Sequence, residues 1–311
     1  MAIRVKKTPA WAAGQGMKLT GTGPGMVVQS PGGGGGGSIP DSSNLYSLLR
    51  RGINQTTTTN GVSETVIASW TDARGAGLNH PRFLPQGRWS GGGGSGRGCI
   101  INGDGSVLMR GDGSGELATF MRAASDDGGN PLSSTTDGSW TIYARIFNQK
   151  DTIDGSYDGV DGTVFQLFQT AGGGYYGDDT GNKVKFLGFS NPFAGSTWRL
   201  RVEQPAVTQD TFGTQYVPNP SEYQTVVLRG SPAQGWTYRV SNSNNSGGSF
   251  AGSPNPPYGD GNSLTIGSVI YLGESNSANS FPLAVSDFAV YNSYHDESTA
   301  TQVISYLETT P

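Results

Sequence analysis

Trp140-Thr141-Ile142-Tyr143-Ala144-Arg145-Ile146 and Thr197-Trp198-Arg199-Leu200-Arg201-Val202-Glu203 are the stretches whose reading decides the fold. In the second, Trp198, Leu200 and Val202 alternate with Arg199, Arg201 and Glu203, and only a strand with one buried and one wet face produces that pattern. In the first, Trp140, Ile142, Ala144 and Ile146 share a face. Further strand signals occupy Val164 to Phe168, Val184 to Phe189, Tyr223 to Leu228, Trp236 to Val240, Leu264 to Leu272 and Leu283 to Tyr291. Clusters of Gly, Asn, Asp and Ser separate them. About a dozen short strands with no helix between them predict an all-β fold, a two-sheet antiparallel sandwich or a barrel. One-sided polarity predicts that each sheet has a wet face.

One helix is expected. Asp296 is its N-cap, and Ala300, Val303, Ile304 and Leu307 follow at helical spacing. Short and terminal, it is expected to plug an edge of the sandwich. Asp41 is expected to cap an amphipathic turn over Leu45 to Leu49.

Composition agrees with this reading. Fifty of the 311 residues are glycine and only 14% are charged, yet aromatics reach 10%. Glycine without a period of three excludes collagen. The scarcity of charge excludes a coiled coil and a charged disordered tail. The aromatics can build a core. No apolar run is long enough to span a membrane. The basic N-terminus has no apolar stretch after it, so a secretory signal is not expected. The lone Cys99 excludes an intrachain disulfide and a cysteine zinc site, and its neighbours Ile100 and Ile101 predict burial.

Charge is unevenly placed. Residues 1–60 carry Arg4, Lys6, Lys7, Lys18, Arg50 and Arg51 against one acid, Asp41, while the rest holds 14 bases and 23 acids. Residues 1–40 also contain the run Gly32 to Gly37. They are expected to form an extended basic arm and linker, with the sandwich as a second unit over 41–311. The arm is expected to meet something negative, or else to be a solvated tail. The acidic body, with no basic stripe interleaved with aromatics, argues against nucleic acid as the partner.

Four segments, in order, resemble the laminin-G-like (concanavalin A-like) jelly-roll family. They are Thr65-Val-Ile-Ala-Ser-Trp-Thr-Asp-Ala-Arg-Gly-Ala-Gly-Leu-Asn-His80, Cys99-Ile-Ile-Asn-Gly-Asp-Gly-Ser-Val-Leu108, Gly138-Ser-Trp-Thr-Ile-Tyr-Ala-Arg-Ile146, and Ala284-Val-Ser-Asp-Phe-Ala-Val-Tyr-Asn-Ser293 with the helix after it. Ala73-Arg74 stands where Gln-Ser is commoner in the family. The resemblance spans about residues 45–311. It implies a two-sheet antiparallel jelly-roll sandwich and a binding role rather than a catalytic one, although fold alone does not settle function.

Signatures of catalysis are missing from the sequence. Glycosidases of this fold carry Glu-x-Asp-x-x-Glu on one strand, bringing two carboxylates together, and none of the seven glutamates stands in that pattern. There is no G-x-S-x-G and no Walker loop. Gly91 to Gly96 matches G-x-G-x-x-G, but a strand follows it rather than a helix. His80 and His295 are not in a metal-spaced pair.

Candidate binding residues fall in loops. Tyr175 and Tyr176, with Asp178 and Asp179, lie in a glycine-rich loop, and Trp89 precedes Gly91–Gly94. Exposed aromatics of this kind stack on sugars or anchor a partner, or else fold back on the sandwich. Asp154, Asp158 and Asp161, near Asp151, read either as a carboxylate-rich loop for calcium or as ordinary Asp-Gly turns. No other cofactor is expected.

These readings lead to an expected function. A lectin-like body without a signal peptide, bearing a lone cysteine and a basic arm, fits a non-catalytic virion protein of a bacteriophage, a capsid decoration or fibre subunit assembled in the host cytoplasm. Its expected partners are capsid or other virion proteins through residues 1–60, with the chain a homo-oligomer or present in many copies on a particle. The alternative is a carbohydrate-binding tail or cell-surface module recognising host glycans. A polysaccharide hydrolase is the least favoured of the three.

Overall fold

The computed structural model describes residues 18–20, 27–29, 38–60, 63–75, 82–89, 98–109, 117–123, 139–148, 165–169, 184–190, 198–204, 207–216, 223–231, 233–241, 249–250, 262–267 and 283–309. In chain order the strands are β1 (Lys18–Thr20), β2 (Val27–Gln29), β3 (Leu45–Arg50), β4 (Gln55–Thr59), β5 (Thr65–Trp70), β6 (Phe83–Trp89), β7 (Ile100–Ile101), β8 (Val107–Met109), β9 (Leu117–Ala123) and β10 (Trp140–Asn148). They continue with β11 (Phe165–Gln169), β12 (Val184–Ser190), β13 (Trp198–Gln204), β14 (Val207–Tyr216), β15 (Gln224–Ser231), β16 (Gly235–Val240), β17 (Ser249–Phe250), β18 (Asn262–Gly267) and β19 (Leu283–Tyr291). One helix, α1 (Glu297–Thr309), follows.

Every pairing among the described residues is antiparallel. One ladder runs β3-β19-β10-β15-β16-β17. The other runs β6-β9-β18-β11-β12-β13-β14. Strand β5 joins β4, β6 and β7, and β8 links β7 back to β19. The all-β sandwich read from the alternating stretches is therefore the architecture.

The core lies between the ladders. Trp140, Ile142, Ala144 and Ile146 stand on one face of β10, opposite Gly230, Leu228, Val226 and Gln224 of β15. On the other flank Ile142 and Ala144 meet Val290 and Phe288 of β19. Phe288 reaches across to Phe83 of β6 in an edge-to-face contact, centroids 6.1 Å apart. Trp70, Cys99, Met109, Met121 and Ile266 are fully buried with them, so the expectation for Cys99 holds.

The opposite face of β10 was expected to be wet, and it is not. Helix α1 lies on that face and buries Val303, Ile304 and Leu307 against Leu45, Leu48, Tyr143, Val227, Ala289 and Tyr291. All eight residues of β15 are buried as a result. The helix thus covers a face rather than plugging an edge, because its apolar stripe is wide enough to lie along several strands. Each buried Val, Ile or Leu side chain contributes about 1.5–3 kcal/mol of transfer free energy. The N-cap is as expected: the Thr299 amide donates to Asp296 Oδ1 at 2.7 Å, and this contact holds the exposed carboxyl below its usual range.

Two further expectations give way. Leu45 to Leu49 forms strand β3, not a turn, because β19 offers it a full antiparallel partner. Residues 1–40 do not lack strands: Lys18–Thr20 and Val27–Gln29 pair with each other, and Val27 and Val28 add to β4. Ile39, at 8% exposure, already belongs to the core, so the body begins just before residue 41.

The outer edge of β3 is closed by side chains. Asp72 Oδ2 accepts from the Leu48 amide at 2.8 Å, and the Ala73 amide donates to Leu48 O. Arg74 donates to the carbonyls of Leu45 and Tyr46. Plugging an edge in this way blocks pairing with a foreign strand. The Ala73-Arg74 departure noted in the sequence is therefore where an arginine seals the sheet. Gly105, at φ +83, packs against the Gly52 backbone, where any Cβ would come within 2.8 Å of a nitrogen.

Candidate functional site

The described polar chemistry gathers on the helix-covered face of the first ladder, at the two ends of α1. Strand β19 positions both groups. Its C-terminal end leads through Ser293 and His295 into the helix, and its middle carries Asp287.

At the start of the helix, His295 is 2% exposed and bonded at both ring nitrogens. Nε2 lies 3.0 Å from Asp41 Oδ2, and Nδ1 lies 2.7 Å from the Tyr143 hydroxyl. A carboxylate can only accept, so Nε2 carries the proton and Nδ1 accepts from Tyr143. Asp41 also accepts from Ser293 Oγ at 2.7 Å and Asn44 Nδ2 at 2.8 Å. Burial pushes the Asp41 carboxyl up, but hydrogen bonds from Ser293, Asn44 and His295 outweigh it and hold it below the usual range. Burial drives the His295 imidazole down, against the pull of Asp41. Desolvation raises the Tyr143 and Tyr291 hydroxyls far above their ordinary value.

Carboxylate, imidazole and hydroxyl in a row have the order of a nucleophilic relay, yet Tyr143 is completely buried. No substrate reaches its oxygen, so the arrangement holds parts of the chain together. Tyr291 donates to Pro40 O at 3.2 Å and the Asn292 amide donates to Asn44 O at 2.9 Å. Residues 39–44 are thereby fixed to β10, β19 and the start of α1.

Near the far end of the helix, Asp287 is fully buried between two arginines. Arg50 Nε lies 2.6 Å from Oδ1 and Arg145 Nη1 lies 3.7 Å from Oδ2, while Ser286 Oγ donates to Oδ2. Burial pushes the Asp287 carboxyl up, opposed by Arg50, Ser286 and Arg145. Arg50 covers the Tyr306 ring and donates to the Tyr306 carbonyl in the last turn of the helix, where a cation is favoured. Arg145 covers the Tyr223 ring at 4.9 Å. Tyr223 donates to Asp104 Oδ2 at 2.7 Å, with Arg51 4.0 Å from the same oxygen.

This geometry corrects one expectation outright. Arg50 is not an anchoring residue: at 2% exposure it is the counter-charge of Asp287, directly opposite it in register. Arg51 is half-buried against Asp104. Lys18 lies in β1 opposite Gln29, and Trp89 ends β6 opposite Leu117. Arg4, Lys6, Lys7, Asp154, Asp158, Asp161, Tyr175, Tyr176, Asp178 and Asp179 lie outside the described residues. Ladder register still constrains two of these expectations. Trp89 leaves its strand at the end of the sheet where β11 begins, whereas residues 170–183 connect the opposite end of β11 to β12. Among the described residues no group of three His, Cys, Asp or Glu side chains is placed to hold a metal ion, and no helix is long and apolar enough to cross a membrane.

Sequence reasoning missed Asp41, Tyr143, His295 and Asp287 as a set. Tyr143 and Asp287 give only the signal of polar residues at strand positions that an amphipathic pattern reserves for solvent, and Asp41 and His295 lie outside the strands.

The fold defines an all-β antiparallel sandwich with a terminal helix. No protein-family model matches the chain and no curated protein sequence matches it. Among solved structures, the binding domain of botulinum neurotoxin serotype C1 is similar at a TM-score of 0.49 and 9% identity, over 86% of this chain and 53% of that one. The binding domain of botulinum neurotoxin DC in complex with SialylT is similar at 0.47 and 9%, over 88% and 53%. Trypanosoma rangeli sialidase in complex with sialic acid is similar at 0.46 and 14%, over 87% and 34%. The chain thus spans about half the length of the toxin domains and about a third of the sialidase, and no functional residue carries over from them.

Proposed function

We propose that this chain is a non-catalytic carbohydrate-recognition sandwich carried on an N-terminal tether, a structural component projecting from a virion. The observation that carries the tether reading is the fixing of residues 39–44. A force applied from the N-terminus meets the sheet at the β2–β4 pairing and, past the glycine run, passes at Ile39, Pro40 and Asp41 into the central strands and the helix, not into a loose loop. The non-catalytic reading is supported by the use of five of the described carboxylates. Asp41, Asp72, Asp104, Asp287 and Glu297 each engage a structural partner.

Glycan recognition belongs in this reading to two separate sites at opposite ends of the second ladder, one beside Trp89 and one on the Tyr175–Tyr176 segment, and capsid attachment to the basic residues before the glycine run. Removing residues 1–17, which precede β1 and carry Arg4, Lys6 and Lys7, leaves the β2–β4 pairing and the fixed junction intact. The truncated protein is expected to keep its fold and its glycan binding and to lose particle binding. Full decoration of particles by the truncated protein refutes the tether, and a blank glycan array with the full chain refutes carbohydrate recognition. Release of sugars from a bound polysaccharide refutes the non-catalytic reading.

A further inference from the structure

Residues 39–44 are held by a chain of hydrogen bonds whose middle member is an imidazole bonded at both ring nitrogens. Asp41 is joined to His295, His295 to Tyr143, and Tyr143 stands in the central strand beneath the helix. Asp41 is well placed for this role: its backbone sits at φ 52, a conformation that Asp tolerates better than most residues. Its carboxylate is the acceptor on which Ser293, Asn44 and His295 converge.

We propose that the Asp41–His295–Tyr143 chain is an acid-released latch, making the joint between arm and sandwich rigid at neutral pH and loose in mild acid.

Protonating His295 turns Nδ1 from an acceptor into a donor and takes away the acceptor for the buried Tyr143 hydroxyl. Tyr143 must then turn its own hydrogen away among packed rings, with the Tyr291 ring centroid 5.7 Å from its own and 4.3 Å from that of His295. The new cation would also share its surroundings with Arg229, which donates to the His295 carbonyl at 3.1 Å and is itself paired with Glu297. Arg239 on β16 pairs with the same glutamate, and Asp296 is the exposed helix cap. Asp41 is the one anion bonded to the ring, and its carboxyl, held low, stays ionised while His295 changes state.

The direction follows from the imidazole being held below its ordinary 6.5 in the folded protein. As pH falls, the unlatched form takes up the proton first. The latch is at full strength above that value and weakens as pH drops below it.

Amide exchange on the full chain tests the latch. The Asn292 amide, which donates to Asn44 O, and the Asn44 amide, which donates to Asp41 O, report on the joint; Ile142 in the core is the control. Between about pH 7.5 and about pH 5, after correction for intrinsic rates, the joint is expected to open on the order of tenfold more often while Ile142 does not change. His295→Gln keeps an amide at the same place but cannot titrate, and should flatten the profile. Joint amides that track Ile142 at both pH values, or a His295→Gln protein with the parent profile, overturn the latch. If the variant does not fold, imidazole proton resonances of the parent decide. With only His80 and His295 in the chain, a His295 midpoint at or above 6.5 refutes it. No glycan or particle enters this experiment, so its failure would leave the tether reading standing.

Discussion

Replacing Gly230 by alanine puts a methyl group into an aromatic ring. Gly230 stands directly opposite Trp140 in the β10–β15 ladder, and a Cβ there would lie 2.7 Å from Cε2 and Cζ2 and 2.9 Å from Nε1 of the indole. Carbon atoms in contact settle at about 3.5–4.0 Å, so the overlap is on the order of 1 Å. The indole cannot swing aside, since Trp140 is completely buried. β15 is fixed on its other flank by β16. The strain must go into backbone shifts, which cost about 1–3 kcal/mol in packed cores. In a chain of this length that is a melting temperature lower by roughly 1.5 °C per kcal/mol. Urea denaturation followed by circular dichroism measures it, and a double-mutant cycle with Trp140→Leu isolates the cause. Removing the indole should make the Gly230→Ala step cheaper by about 1 kcal/mol or more. A Gly230→Ala protein within about 0.5 kcal/mol of its parent, or an equal cost in the Trp140→Leu background, would refute the reasoning.

Other substitutions probe the polar assemblies. Asp287→Asn leaves Arg50 and Arg145 without their buried counter-charge and should cost about 3–5 kcal/mol in the same denaturation assay; replacing Arg50 and Asp287 together by leucine should recover part of the loss. Asp72→Ala removes the acceptor of the Leu48 amide and the brace of Arg74, and is expected to cost about 1–3 kcal/mol. Because it also opens the edge of β3, concentration-dependent association by light scattering should accompany it. Cys99, completely buried, should react with a thiol reagent only at the rate at which the chain opens, and equally fast with and without residues 1–17, which precede the paired strands β1 and β2.

Much of the fold was legible because β-structure writes itself locally. Alternation in Trp198–Val202 and Trp140–Ile146 identifies strands without knowledge of their partners, and Asp296 with the stripe Ala300 to Leu307 identifies the helix. What could not be read is which second surface each strand faces. Thr141, Tyr143 and Arg145 look like the solvent side of a strand, because polar residues at alternate positions have the same pattern whether they meet water or a helix that arrives at the end of the chain. Likewise Arg50 reads as one more base in a basic segment until Asp287 is placed opposite it by strand register.

The sequence by itself determined an all-β sandwich, a capped terminal helix, a buried cysteine and a glycine-rich segment ahead of the body. Tertiary structure alone decided that the helix covers a sheet face, that Asp72 and Arg74 seal an edge, and that Asp41 meets His295. The physical reason is distance along the chain. Strand and helix periodicity are set by neighbours a few residues apart, whereas the contact between Asp41 and His295 spans 254 residues and exists only once the first and last segments of the body close on the same strands.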